Sequence, residues 1–225
     1  MGLERIRNFY DSRSKTYGST DVEGVRRYRA ALSLANFDSR NAVLDLGCKL
    51  GVLHDLLGDS HIEHRYFGTD LTRNPGFVTA DSCKHLVQAD VMDGLPFQTT
   101  YFTHVFCLEL LEHVTSPLFL LDEIYRVLQP GGQLLLSVPN PYYWAEVYGN
   151  LRGLSDTEGH ISSFTPQNLQ RLLGFASLSI KARCGTYIRV PFLHRVRSDS
   201  LVDMKPWLLA RSVVYLAVKD FRASA

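Results

Sequence analysis

Three ionisable side chains stand at short intervals in Glu109-Leu-Leu-Glu112-His113, and a fourth, His160, lies far downstream ahead of Ser-Ser-Phe-Thr. On a helical turn, the spacing i, i+3, i+4 puts both carboxylates and the imidazole on one face. Carboxylate and imidazole donors in such a mixture suit Mg²⁺, Mn²⁺ or Zn²⁺, and without a metal they can still exchange protons with a bound molecule. Neutral imidazole is poised near pH 7, so His160 alone is a candidate general base. The catalytic candidates are His160, Glu112 and His113.

These groups need a frame. An apolar β-branched run, Val43-Leu-Asp-Leu46, leads into Gly47-Cys48-Lys49-Leu50-Gly51, and a helical pattern then runs from Val52 to Leu57 until Gly58 stops it. Strand, tight turn and helix N-terminus let backbone N–H groups approach a nucleoside-type ligand. Further strands are expected over 65–69, 85–89 and 102–108. The first four therefore end on or beside Asp45, Asp70, Asp90 and Glu109. A helix follows Pro117 and stops at Pro130-Gly131-Gly132, before a buried strand over 133–138. Thr165-Pro166 opens another helix over 167–173, and 178–182 with 212–218 form a closing strand pair.

This alternation predicts an α/β fold: a Rossmann-like, doubly wound sheet of seven strands, mostly parallel with an antiparallel final strand. Val22, Val25, Tyr28 and Leu32 recur at helical spacing, so residues 1–37 are expected to form N-terminal cap helices. Segment 141–164 reads as a lid insertion and 191–206 as a long loop, all within one domain spanning 1–225. In such sheets ligands sit beyond the carboxyl ends of the strands, near the point where strand order reverses.

Composition narrows the partners. With 225 residues, 45% hydrophobic and 21% charged, the chain can bury one good core. A net charge of +1 supplies no general field for nucleic acid or an anionic membrane. No apolar stretch is long enough to span a bilayer, and the first residues lack the apolar centre of a signal peptide. Cys48, Cys83, Cys107 and Cys184 form no C-x-x-C pair, so they read as reduced small residues in a cytoplasmic protein.

With the motifs taken in order, the chain resembles the class I S-adenosylmethionine-dependent methyltransferases, the small bacterial-type group that includes ubiquinone-biosynthesis O-methyltransferases. The resemblance rests on Val43-Leu-Asp-Leu-Gly-Cys-Lys-Leu-Gly51, Gly68-Thr-Asp-Leu71 and Ala89-Asp-Val91 with Leu95-Pro-Phe97. Glu109-Leu-Leu-Glu-His-Val114, Leu128-Gln-Pro-Gly-Gly132 and His160-x-x-x-Phe-Thr-Pro166 complete it. It implies that S-adenosylmethionine binds along Asp45, Gly47, Cys48, Lys49, Gly51, Asp70, Leu71, Asp90, Val91 and Glu109. Asp70 would take the ribose hydroxyls, and Asp90 with Val91 the adenine edge. Glu109, Glu112, His113 and His160 also resemble the metal ligands of small-RNA terminal 2′-O-methyltransferases, which implies a divalent metal that lowers the pKa of an acceptor hydroxyl.

The expected acceptor is a small molecule, a sugar or a lipid-linked compound, methylated at oxygen. RNA-terminal methylation is the first alternative. A pseudoenzyme is the second, because Lys49 stands where the family has glycine and its side chain can obstruct the cofactor or force an unfavourable backbone conformation. A dinucleotide site is disfavoured, because Val52-Leu-His54 offers no third glycine and Asp70 would repel a 2′-phosphate. Thr103 also departs from the family's usual Asp. Asn140-Pro-Tyr-Tyr143 looks like an amino-directed DNA methyltransferase motif but follows the wrong strand. Its aromatics, with Trp144 and Tyr148, are expected either to line a lid or to pack it down.

Overall fold

Strands β1 (Val43–Leu46), β2 (Tyr66–Asp70), β3 (Leu86–Gln88), β4 (Phe102–Leu108), β5 (Leu128–Pro139), β6 (Leu178–Gly185) and β7 (Ser212–Lys219) form one sheet in the computed structural model, in the order β3-β2-β1-β4-β5-β7-β6. The structure describes residues 4, 8–9, 22–37, 40–49, 51–58, 65–72, 86–154, 158–187, 207 and 209–220. Cys83, the expected loop over 191–206, most of 1–21 in the expected cap and 155–157 in the expected lid lie outside them. β1 to β5 run parallel, while β7 is antiparallel to both β5 and β6. Strand order reverses between β1 and β4, so a crevice opens at their carboxyl ends.

Alternation along the strands decides what lies on each face. Leu44 and Leu46 of β1, Val105 and Cys107 of β4, and Val213, Tyr215 and Ala217 of β7 share one core. Into it pack Leu120, Leu121, Ile124 and Val127 of helix α3 (Pro117–Val127) and Leu169 and Leu173 of α5 (Pro166–Phe175). Val43, Phe106, Leu108, Val214 and Leu216 face the other way. There they meet Tyr28 and Ala31 of α1 (Val22–Leu34) and Leu53 and Leu57 of α2 (Val52–Leu57). Asp45 is two residues from Val43, so the same alternation sends its carboxylate under α1 and α2.

Two boundaries differ from expectation. β5 begins at Leu128, immediately after α3, and the pairing with β4 jumps from Phe102↔Leu128 to His104↔Gln133. Residues 129–132 are accommodated in that jump, with Gly131 at φ 74°. Pro130-Gly131-Gly132 therefore interrupts the ladder rather than the helix. Second, the stretch after β5 contains helix α4 (Trp144–Leu151), none of whose residues is buried. Thr103 fastens the start of β4 to β1: its hydroxyl accepts from the Ala42 N–H and donates to the Ala42 carbonyl.

Candidate active site at the carboxyl ends of β1 to β4

The turn after β1 is held from below. The N–H groups of Gly47 and Cys48 both donate to the Thr69 carbonyl, at 2.8 and 3.0 Å, and the Cys48 side chain lies over β2. A Cβ on Gly68 would come within 2.8 Å of the Cys48 sulfur, so that glycine is required by close approach. Gly47 and Gly51 have φ of 71° and 73°, and Lys49 between them is also left-handed at 45°. Left-handed backbone costs a residue with a side chain about 1–2 kcal/mol relative to glycine. Lys49→Gly should therefore raise the unfolding free energy by about 1 kcal/mol in a urea titration, and no gain would show that the turn is not under strain.

The acidic residues divide by role. Asp70 closes β2 with both oxygens engaged: Oδ2 accepts from the Lys49 N–H at 3.0 Å, and Oδ1 from the N–H and hydroxyl of Thr72 at 2.9 and 3.1 Å. It is thereby fixed beside the turn. Leu71 follows it, with its carbonyl accepting from Gln88. Asp90 caps a 3₁₀ turn, Val91–Asp93, by accepting from the Met92 N–H at 2.9 Å, and Val91 is buried.

Asp45 sits elsewhere. It is 0% exposed, beneath the turn, and its carboxylate accepts from Tyr28 at 3.0 and 3.2 Å and from Tyr66 at 3.0 Å. Burial pushes its pKa up to about 7 against the pull of the two hydroxyls. The side chain braces the turn from behind, and α1 supplies half of the brace.

The segment 109–113 does not form the expected helical face. Glu109 turns out of β4 with φ of 51°, and only Leu111–His113 is regular, as a 3₁₀ turn. The Glu109 carboxylate points toward β5 and β7, where it accepts from the Ser137 hydroxyl at 3.0 Å and the Ser212 hydroxyl at 3.2 Å. Arg27 of α1 lies 3.9 Å away. Glu109 thus stands outside the expected metal set. Among the described residues, one group has ligand atoms close enough to share an ion: Glu112, His113 and His160, within 4.8 Å of one another.

Glu112 is 1% exposed, and neither carboxylate oxygen has a hydrogen-bond partner. Burial, with the Glu109 charge adding to it, drives its pKa well up, while Arg27 and Lys49 pull the other way. Burial lowers the pKa of His113, whose Nδ1 lies 3.3 Å from the Gly159 carbonyl. The Lys49 charge favours the anion of Glu112 and opposes protonation of His113. His160 is carried in by main-chain bonds: the N–H groups of Ile161 and Ser162 donate to the Glu112 carbonyl at 2.8 and 3.0 Å. Its ring centroid lies 4.9 Å from that of His113.

Sequence reasoning missed Tyr28 and Tyr66 as partners of Asp45, and Ser137, Ser212 and Arg27 as partners of Glu109. The alternation of β1, which puts Asp45 on the face of Val43, was the available signal for its direction. Asn140 proves structural: its amide donates to the Trp207 and Ala210 carbonyls, and its oxygen accepts from the Tyr142 N–H. Of the aromatics, Tyr143 is buried, whereas Tyr142, Trp144 and Tyr148 are exposed.

A family model described as a methyltransferase domain matches residues 19–179. The ubiquinone biosynthesis O-methyltransferase of Xylella fastidiosa (strain 9a5c) is 32% identical over 138 residues, which is 56% of this chain and 56% of that protein. The chain thus aligns with about half the length of that curated relative. A chain from the complex of the Haloferax volcanii Trm112 methyltransferase activator superposes with a TM-score of 0.73 at 20% identity, covering 98% of this chain and 100% of that one. Burkholderia thailandensis 1,6-didemethyltoxoflavin-N1-methyltransferase, solved with its substrate and S-adenosylhomocysteine, gives 0.65 at 17% identity over 98% of this chain and 90% of that one. At such identities these two structures speak to the fold. On the family match, which spans most of its length, the chain belongs to the methyltransferase-domain family.

Proposed function

We propose that the protein transfers a methyl group from S-adenosylmethionine to an oxygen of a small-molecule, sugar or lipid-linked acceptor, with a divalent metal assisting. The observation that carries the reading is the buried Glu112 carboxylate, which takes no hydrogen bond, stands 3.9 Å from His113 Nε2 and is grouped with His113 and His160. A buried carboxylate without a donor is costly unless a cation or a proton satisfies it. One carboxylate and two imidazoles fit Mn²⁺ or Zn²⁺ better than Mg²⁺, which favours oxygen ligands. Such an ion would lower the pKa of an acceptor hydroxyl. Glu112, His113 and His160 would hold it, and Glu109 would stay with its serines.

The residues around the turn also suit S-adenosylmethionine, which supplies a methyl group on a sulfonium centre. Asp70 is rigidly placed, with one acceptor site on Oδ2 left for a ribose hydroxyl. Asp90 and Val91 lie beyond it at the end of β3, and the glycines of the turn would face the methionine end. Asp45 contributes by holding that turn in place. Leu71, Cys48 and Lys49 complete the wall. If Lys49 limits access, Lys49→Gly tightens cofactor binding in calorimetry. Millimolar cofactor failing to bind the native chain would support the pseudoenzyme instead.

Helix α4 bears on the acceptor. Trp144, Val147, Tyr148 and Leu151, spaced i, i+3, i+4, i+7, are 42%, 40%, 54% and 82% exposed, an apolar stripe on the segment that carries His160. That supports an acceptor with an apolar or ring portion. The relatives' name as O-methyltransferases of ubiquinone biosynthesis supports oxygen. Arg211, near His160, is paired with Glu23 and Glu158, so it adds little to a basic path for RNA. The reading takes the chain as one domain, with 1–37 as its cap and 141–164 as its lid. No helix among the described residues is long and apolar enough to cross a membrane, and the free thiols of Cys48, Cys107 and Cys184 support a cytoplasmic setting.

The test is metal content and turnover together. Protein purified without chelator should carry a divalent ion, lose turnover in EDTA and regain it with Mn²⁺ or Zn²⁺. His160→Ala should lower kcat by about 10²-fold with cofactor affinity unchanged. A metal-free protein whose turnover survives EDTA would end the metal reading, and an unchanged kcat in His160→Ala would remove that residue from the chemistry.

A further inference from the structure

Arg211, at the start of β7, joins three distant parts of the chain. Its Nη2 donates to Glu158 Oε1 at 2.9 Å, and its Nη1 donates to Glu23 of α1 and to the Tyr187 hydroxyl, the latter at 3.2 Å. Its own main chain is fixed, since its N–H donates to the Tyr187 carbonyl and its carbonyl accepts from Asn140. The other oxygen of Glu158 lies 3.5 Å from His160 Nε2. A line of polar contacts therefore runs from a rigid strand end, through one carboxylate, to the imidazole in the acid cluster.

We propose that Glu158 and Arg211 are positioning residues for His160, the carboxylate setting the ring's tautomer and the guanidinium holding the carboxylate. The inference rests on the reading of His160 as a working residue. A carboxylate accepts but cannot donate, so it keeps a proton on Nε2 and leaves the neutral ring's lone pair on Nδ1. Arg211 makes that choice stick, because a half-exposed Glu158 without an anchor would sample several rotamers. The main-chain bonds of residues 161–162 to Glu112 place the backbone, and Glu158 meets the imidazole at Nε2 while the His113 ring packs beside it. Because Arg211 also holds Glu23, the cap helix and the His160 segment are tied through one side chain. Exposed ion pairs contribute little to folding, so the arrangement gains more in geometry than in stability.

Glu158→Gln is the discriminating variant. Arg211 needs an acceptor, so the amide oxygen turns to it and the amide NH₂ faces Nε2, which must then give up its proton. The tautomer inverts. In chelator-treated protein, nitrogen-15 spectra of the imidazoles, with His160 assigned by its loss in His160→Gln, should show the protonated nitrogen change from Nε2 to Nδ1. The kcat should fall by about 10²-fold with the Kd for S-adenosylmethionine within about threefold. Arg211→Ala should give mixed tautomers and about a 10-fold or greater loss in kcat, partly restored in Arg211→Lys, with Tm moving by no more than about 4 °C. An unchanged tautomer in Glu158→Gln overturns the proposal whatever the activity. If the tautomer inverts while His160→Ala leaves kcat intact, the positioning stands and the catalytic reading of His160 is what fails.

Discussion

Glu112→Gln is expected to lower turnover by about 10²- to 10³-fold while making the metal-free protein more stable, by about 1–3 kcal/mol at pH 8. The two effects have one origin. Glu112 is enclosed on all sides and takes no hydrogen bond, so in the empty protein its charge is a liability. The amide has nearly the same shape and cannot ionise, which removes that cost. It also cannot serve as an anionic ligand, so the ion, or the proton exchange that replaces it, is lost. Differential scanning of chelator-treated proteins, beside turnover with saturating metal, reads both. Turnover within threefold of the native value would show that the carboxylate is a packing residue. A fall in both stability and turnover would show that Glu112 has a structural partner.

The second large effect is a pH dependence set by Asp45. Its pKa moves from an ordinary 3.8 to about 7 on folding because burial outweighs the two tyrosine hydroxyls. For an acid whose folded pKa is raised, the native state holds the proton longer than the unfolded chain. Its contribution is present in full below about pH 4 and is lost as pH rises through about 7. The shift corresponds to about 4 kcal/mol across that window. Asp45→Asn cannot titrate, so the difference in unfolding free energy between variant and native protein should grow from pH 4 to pH 8, approaching that size. Urea titrations at four or five pH values isolate the term, because the other carboxylates are common to both. A constant difference would mean that Tyr28 and Tyr66 stabilise the anion far better than their geometry suggests.

What could be read in advance follows from the range of each interaction. The four strand ends at Asp45, Asp70, Asp90 and Glu109 were visible because strand, turn and helix each have local periods, and α5 was visible because Thr165 caps it through the Asn168 N–H. The destination of a side chain beyond its element was not. Glu109 was expected beside Glu112 on helical spacing, but a left-handed residue at its own position broke that geometry and delivered its carboxylate to serines on two later strands. Asp45 was expected against the cofactor. The parity of β1 could have shown that it shares a face with Val43, but not that a tyrosine 17 residues earlier would meet it. Helix α4 was hidden because its aromatic residues also suit a packed segment, and only the fold shows them facing outward. Arg211 carried no signal at all, since its three partners come from three distant stretches.

β7 has a consequence for the order in which the protein can be made. Ser212 at its start holds Glu109, and Arg211 just before it holds Glu158 and Glu23. The strand itself lies between β5 and β6, both of which precede it in the chain. During synthesis β1 to β5 can assemble as they emerge, yet β6 has no neighbour to pair with and Glu109 no second hydroxyl until residues 211–219 are in place. A growing chain therefore has its turn and its acids long before it has a settled site, and the arrival of β7 completes the sheet and the active centre in one step.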